Sequence, residues 1–334
     1  MPKTYIQTYP HPYSVYPNNE FISVVITSYS RPDYLKRAID SIHATADMPF
    51  ELIVNDDGSY KEAKDKLYGM SDKISTIIFN NGRNMGLNEA ANRCISLASS
   101  RYILFATDDC WFTRPTFKDV CSVLSKPYIG FICVANDTDP MPPYSGCRVG
   151  NTNYSVTGYL GGGITQAFRK DVWREVGGWD LRSTSGQSDN VFLFKILKSG
   201  YWKGMIEGKS RVKCANFEEA STYVPTWEFS RGTDCSLPKL FGIPDKKLEQ
   251  LSWSRKEACQ YWVDGERTIP NRETYDTRPN PIAGLNDIEY WGNYFLKVFS
   301  NRNGSSDIRD IDWTIANTHG QSKWKDEILR DIKT

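Results

Sequence analysis

Asp108 and Asp109 stand side by side directly after an apolar run at residues 102–106. Two adjacent carboxylates repel each other unless a cation or a donor-rich ligand lies between them. Hard divalent ions take oxygen ligands and share them with substrate phosphates. The pair therefore points to a metal holding a phosphorylated donor. The plainer alternative is a strand followed by a helix cap, a position Asp favours. The same setting recurs twice: Thr27 and Ser28 close a run at 21–27, and Asp56 and Asp57 follow a run at 50–54. A later carboxylate, Asp189, follows a Gly/Ser-rich stretch at 183–188 and opens a helical pattern. A carboxylate so placed can act as a general base, or simply cap the helix.

These groups need elements to position them. Runs at 21–27, 50–54, 74–79, 102–106 and 129–135 are short and rich in β-branched residues, as buried strands are. Helical signals lie between them. Ser30 is placed to cap a helix with Pro32 in its first turn, Ser59 to cap one through about Tyr68, and residues 87–98 keep helical spacing. The alternation predicts an α/β fold whose parallel sheet is covered by helices on both faces. Ligands of such sheets bind at the carboxyl ends of the strands. The three polar tips then share one edge, where a nucleotide can sit with a carboxylate reading the base N–H and a metal clamping the diphosphate. Residues 136–165 read as an active-site loop, with a tight bend at Gly161 to Gly163. Residues 168–176 read as a helix ending at Gly177 and Gly178, and 191–197 as one closed by Gly200. Later helices are expected at 287–299 and 324–332.

The chain has 334 residues, with 41 Lys and Arg against 40 Asp and Glu for a net charge of +1. That balance argues against a protein that coats a nucleic-acid backbone. A mean hydropathy of −0.52 and the lack of an apolar run near 18 residues predict no transmembrane helix. The N-terminus shows no secretory pattern, and the eight cysteines include no C-x-x-C pair. Free thiols in a reducing cytoplasm follow as the expectation.

The motifs together resemble glycosyltransferase family 2, enzymes of GT-A fold. They are Val-Val-Ile-Thr-Ser-Tyr-Ser-Arg-Pro at 24–32, Val-Asn-Asp-Asp-Gly-Ser at 54–59, Asn84-x-Gly86, Ala-Thr-Asp-Asp at 106–109, Gly-Gly-Trp-Asp at 177–180 and Ser-Asp-Asn at 188–190. The chain is especially similar to the bacterial spore-coat polysaccharide type, whose metal motif reads Thr-Asp-Asp. The resemblance covers about residues 20–205. It implies a Rossmann-like, mixed, mostly parallel sheet flanked by helices, with an irregular or helical C-terminal extension. It implies that Thr27 and Tyr29 border the nucleotide, that Asp57 reads uracil or another base, and that Arg83 and Asn84 face the nucleotide-sugar. Asp108 would contact ribose or sugar, Asp109 a Mn²⁺ or Mg²⁺ on the diphosphate, and Asp189 the acceptor hydroxyl, with inversion at the anomeric carbon. Trp179 reads as a sugar platform or as core, and Asp180 as an acceptor contact or a turn residue. The pattern departs at Cys110, where many relatives carry a third acidic residue, and at Ser188, where Glu is common.

The expected organisation is an arm at 1–20, a catalytic domain at 21–214 and an extension at 215–334 that shapes the acceptor cleft or forms a subunit contact. The partners are a nucleoside-diphosphate sugar, with UDP-sugar favoured, and a hydroxyl acceptor. A glycan, lipid-linked sugar, protein or modified DNA base all qualify as acceptors. The DNA acceptor requires a basic groove, with Arg169, Lys170, Arg182 and Lys195 as its candidates. Two other classes compete. A sugar nucleotidyltransferase needs a Gly-rich phosphate loop after the first strand, and residues 27–31 contain no glycine. A degenerate, non-enzymatic glycan- or partner-binding module is favoured by Cys110 and disfavoured by Asp57, Asp109 and Asp189 occurring together.

Overall fold

A computed structural model describes residues 4–8, 21–80, 86–134, 146–157, 165–179, 188–208, 210–215 and 321–332. In chain order the strands are β1 (Thr4–Thr8), β2 (Ile22–Ser28), β3 (Phe50–Asp56), β4 (Thr76–Asn80), β5 (Tyr102–Thr107) and β6 (Cys110–Phe112). They continue with β7 (Ile129–Cys133), β8 (Cys147–Val149), β9 (Thr152–Thr157), β10 (Gln166–Arg169), β11 (Trp202–Ile206) and β12 (Val212–Cys214). The helices are α1 (Pro32–Thr45), α2 (Lys61–Tyr68), α3 (Leu87–Leu97), α4 (Phe117–Leu124), α5 (Lys170–Glu175), α6 (Ser188–Lys198) and α7 (Lys325–Asp331).

Ten of the described strands form one sheet in the order β1-β4-β3-β2-β5-β10-β7-β11-β9-β8. The run β4-β3-β2-β5 is parallel throughout. β10 inserts antiparallel between β5 and β7, and β7 restores the original direction, which β11 keeps beside it. The sheet is thus mixed and mostly parallel, with β1, β10 and β9 opposed to the rest. Every residue of β2 is buried, because a parallel strand covered on both faces has no solvent side and must be apolar in both directions.

Register, rather than strand length, sets the functional edge. Ser28 lies opposite Asp56, and Thr27 opposite both Asn55 and Thr107. The carboxyl ends of β2, β3 and β5 therefore finish level. α1 buries Leu35, Ala38, Ile39 and Ile42 along one stripe, and α3 packs on β2 and β3. α4 and α6 both pack on β7 and β11.

Several local expectations change. The N-cap of α1 is Arg31, with Pro32 at its first position, and Ser30 sits at φ +56°. Ser30 and Ser59 meet instead of capping: the Ser30 N–H donates to the Ser59 hydroxyl at 2.7 Å. Residues 166–169, expected in part as helix, form β10, because their backbone completes the ladder between β5 and β7. Part of the N-terminal arm is β1, paired antiparallel on the β4 edge.

The chain end returns to the body of the protein. Trp324 Nε1 donates to the Gly200 carbonyl at 3.0 Å, and Asp331 accepts from Lys126 at 2.7 Å and from the Tyr128 hydroxyl at 2.5 Å. Those partners precede β7 and β11, so α7 docks at the edge opposite the polar tips. Residues 216–320, with the helix expected at 287–299, lie outside the described residues, as do Gly161 to Gly163.

Candidate functional site

Asp108 leaves β5 into the protein, where it is 1 % exposed. One of its oxygens accepts from the Ser28 hydroxyl at 2.8 Å and from Arg31 Nε at 3.3 Å. The other accepts from the Arg31 terminal nitrogen Nη2. Burial lifts the Asp108 carboxyl to about 6; the neighbouring Asp109 adds to this, while Arg31 and Ser28 oppose it. Asp109 is more open, with 16 % of its side chain exposed. It accepts from Arg31 Nη1 at 3.1 Å on Oδ2 and from the Thr107 hydroxyl at 2.5 Å on Oδ1.

Arg31 thus spans both carboxylates as their internal cation. Arg31 lies within the 24–32 motif, whose spacing alone gives it no role in the site. A signal existed: an arginine three residues beyond a polar strand tip can reach the carboxylates on the next tip, once β2 and β5 are known to be neighbours.

Asp57 occupies the adjacent tip. Its N–H donates to the Ser28 carbonyl at 2.8 Å. Its carboxylate accepts from Asn80 Nδ2 at 2.7 Å and from the Gly86 N–H at 2.9 Å. Arg93 holds Asn80 through its Oδ1 at 2.8 Å, and Glu89 holds Arg93 at 2.8 Å. A relay of side chains from α3 and β4 therefore sets the orientation of Asp57. Asp56 turns elsewhere. Burial raises its pKa, with the Ser59 hydroxyl and Lys64 opposing, and Lys64 Nζ lies 3.9 Å away.

Thr27 is buried between Asn55 and Thr107, and Tyr29 is 37 % exposed at the tip of β2. Asp189 lies in the first turn of α6 and is partly exposed. Arg83, Asn84 and Asp180 lie outside the described residues.

Trp179 is a core residue, and the sugar-platform expectation is corrected. It is 2 % exposed and stacks on Phe192 at 4.5 Å, with Phe105 at 5.0 Å and Phe168 at 5.4 Å. An indole sealed among three rings presents no face to an acceptor. Its backbone is held by Asn92, which accepts from the Trp179 N–H at 3.0 Å and donates to the Trp179 carbonyl at 3.0 Å. Gly178 before it has φ +70°, and a Cβ there would lie 2.6 Å from Asn92 Oδ1. Lys195 Nζ donates to the Gly178 carbonyl at 2.7 Å. Phe192 and Lys195 belong to α6, so this turn anchors the helix that carries Asp189.

The basic groove expected for a DNA acceptor is not formed by its described candidates. Arg169 is buried and donates to the Ile129 carbonyl at 2.8 Å and the Lys126 carbonyl at 3.1 Å. Lys170 caps the Ser96 and Ala98 carbonyls, and Lys195 is engaged with Gly178. All three are structural cations. Arg182 lies outside the described residues.

Among the described residues no group of three or more His, Cys, Asp and Glu could hold a metal by itself. Asp109 offers hard oxygen donors at the accessible end of the pair. Ions such as Mg²⁺ are commonly held by one or two carboxylates plus substrate phosphates. The hard oxygens of Asp109 suit a cation shared with a diphosphate.

Residues 23–153 match the family described as Glycosyl transferase family 2. Glycosyltransferase GlyA of Streptococcus pneumoniae serotype 4 is 28% identical over 124 residues, 36% of this chain and 18% of that protein. A glycosyltransferase of Methanocaldococcus jannaschii is 33% identical over 91 residues, 26% of this chain and 31% of that protein. The chain spans less than a third of the length of either relative. Among solved structures, S. aureus TarS 1–349 in complex with UDP-GlcNAc overlays with a TM-score of 0.49 at 15% identity, covering 92% of this chain and 91% of that one. The mannosyltransferase PcManGT from Pyrobaculum calidifontis, in complex with GDP-Man and Mn²⁺, gives 0.49 at 16% identity, covering 94% of this chain and 91% of that one. Likenesses this distant carry no argument about the site. The family match, in contrast, runs from β2 into β9 and takes in all three polar tips.

Proposed function

We propose that this chain transfers a sugar from a nucleoside-diphosphate sugar, a UDP-sugar by preference, to an acceptor hydroxyl with inversion. The observation that carries the reading is the level register of β2, β3 and β5, which brings Asp57, Asp108 and Asp109 to one edge. Asp57, oriented by Asn80 and the Gly86 N–H, accepts the base N–H. An acceptor-only group selects bases that present a donor there, as uracil does. Thr27 and Tyr29 border the nucleotide, with Arg83 and Asn84 on the sugar side. Asp108, paired with Arg31 and hydrogen-bonded by Ser28, lies on the ribose or sugar side. Asp109 would hold Mn²⁺ or Mg²⁺ together with the diphosphate, and such an ion would offset the charge that develops on the leaving group.

Asp189 takes the proton of the acceptor hydroxyl, whose oxygen bonds to the anomeric carbon as the bond to the departing diphosphate breaks. α6 is fixed through Phe192 on Trp179 and Lys195 on Gly178, which holds this base in place. The test is transfer from UDP-sugars to a panel of hydroxyl acceptors, with NMR of the product anomer. Asp189→Asn is expected to lose at least about 100-fold in rate, the usual contribution of a positioned base, while still binding UDP. Retention of the donor's anomeric configuration, or full activity in the variant, would overturn the reading.

A further inference from the structure

Cys110 opens β6 directly after Asp109, and Cys214 closes β12. These two strands make a separate two-stranded antiparallel ladder in which Cys110 and Cys214 are directly opposed. The bonds around them define the kind of pair. The Ala215 N–H donates to the Asp109 carbonyl at 2.9 Å, and the Thr113 N–H to the Arg211 carbonyl at 2.9 Å. Cys110 and Cys214 therefore form a non-hydrogen-bonded pair, the closer of the two antiparallel types, with Cα atoms typically about 4.5 Å apart. Disulfides accept Cα separations of about 4.4–6.8 Å. The two sulfurs lie 2.9 Å apart, both as free thiols. Cys110 is buried and Cys214 half-buried, so a reagent reaches the pair through Cys214.

We propose that Cys110 and Cys214 are a modification site, a reversible dithiol–disulfide couple whose co-reactant is a small-molecule disulfide such as oxidised glutathione. The Cys214 thiolate attacks one sulfur of the oxidant, forming a mixed disulfide and releasing one glutathione thiolate. Cys110 then attacks the Cys214 sulfur and releases the second. The two protein thiols give up two electrons and two protons, and one glutathione disulfide becomes two glutathione thiols. The ladder already opposes the two residues, so the bond forms without a change of register.

The bond has a local consequence. The Thr107 oxygen lies 3.1 Å from Cys110 Sγ and donates its one hydrogen to Asp109. The disulfide removes the thiol hydrogen available to that oxygen and staples the turn carrying Asp109 to the strand before residue 215. The inference does not depend on the transferase reading, since it concerns which sulfurs join.

The test uses the full chain in glutathione redox buffers, quenched by alkylation. The expected results are two fewer alkyl groups than in the reduced, alkylated control, a Cys110–Cys214 linked peptide after digestion, and full reversal with dithiothreitol. Cys110→Ser treated alike should stop at a glutathione adduct on Cys214. The proposal is overturned if the folded wild-type chain stops at that adduct or yields other linkages instead. It is equally overturned if the linked peptide appears only after denaturation.

Discussion

Replacing Arg31 by Met would test whether it is the internal counter-ion of Asp108. In the wild-type protein the Asp108 carboxyl is raised from 3.8 to about 6, chiefly by burial. Between those two values the folded protein holds a proton that the unfolded chain has released. Stability therefore falls as pH rises through that window, by about 3 kcal/mol at about 1.4 kcal/mol per pH unit. Above about 6 the wild-type loss stops, because Asp108 is ionised in both states. Without the guanidinium, Asp108 keeps the Ser28 hydroxyl but loses its counter-charge, and its pKa moves further up. The variant then continues to lose stability with rising pH where the wild type has levelled off. At pH 5 the two differ by the lost packing and hydrogen bonds of Arg31 alone. By pH 8 the gap should widen by about 1–3 kcal/mol. Urea denaturation followed by tryptophan fluorescence at the two pH values measures it. Adding Asp108→Asn to Arg31→Met should abolish most of the widening, since the buried carboxyl is then gone and only the more open Asp109 remains at that place. A gap that is the same at pH 5 and pH 8 would refute the counter-ion reasoning.

Two further perturbations separate positioning from contact. Asn80→Leu removes the donor to Asp57 at 2.7 Å; a bond to a charged group contributes about 1.5–3 kcal/mol, so UDP affinity should weaken roughly 10-fold or more in calorimetry, and unchanged affinity would exclude the relay. Trp179→Ala opens a cavity among Phe105, Phe168 and Phe192 and should cost about 3–5 kcal/mol of stability, read as a fall in melting temperature, with Trp179→Phe retaining most of it. A variant that melts like wild type and changes only acceptor KM would restore the sugar-platform role.

The strands that carry the site were legible because buried parallel strands are continuous apolar runs that stop abruptly at polar residues. The 21–27, 50–54 and 102–106 runs ended within two residues of β2, β3 and β5. α4 was missed although Phe117, Val120, Val123 and Leu124 keep a helical stripe, since its eight residues lie between two more obvious runs. The helical pattern at 168–176 overlaps the last two residues of β10, because four residues are too few to show alternation and one of them, Arg169, is a buried cation. β9 carries Thr, Asn and Ser, so composition alone does not mark it as a strand. The largest gaps concern charge. The burial of Arg31, Arg169 and Lys195 depends on carbonyls and carboxylates brought near by topology, which residue spacing does not reveal. Asp57, Asp108 and Asp109 were identifiable by position; what holds each of them was not.

The central claim is that the β2, β3 and β5 tips form a metal-assisted nucleotide site with Asp109 as the protein ligand. Calorimetric titration of UDP into the full chain, with and without Mn²⁺ and with Asp109→Asn in parallel, tests it most directly. The account predicts binding that requires Mn²⁺ in the wild type and is lost in the variant, with the variant's melting temperature preserved. UDP binding of equal strength without Mn²⁺, or undiminished in Asp109→Asn, would contradict it.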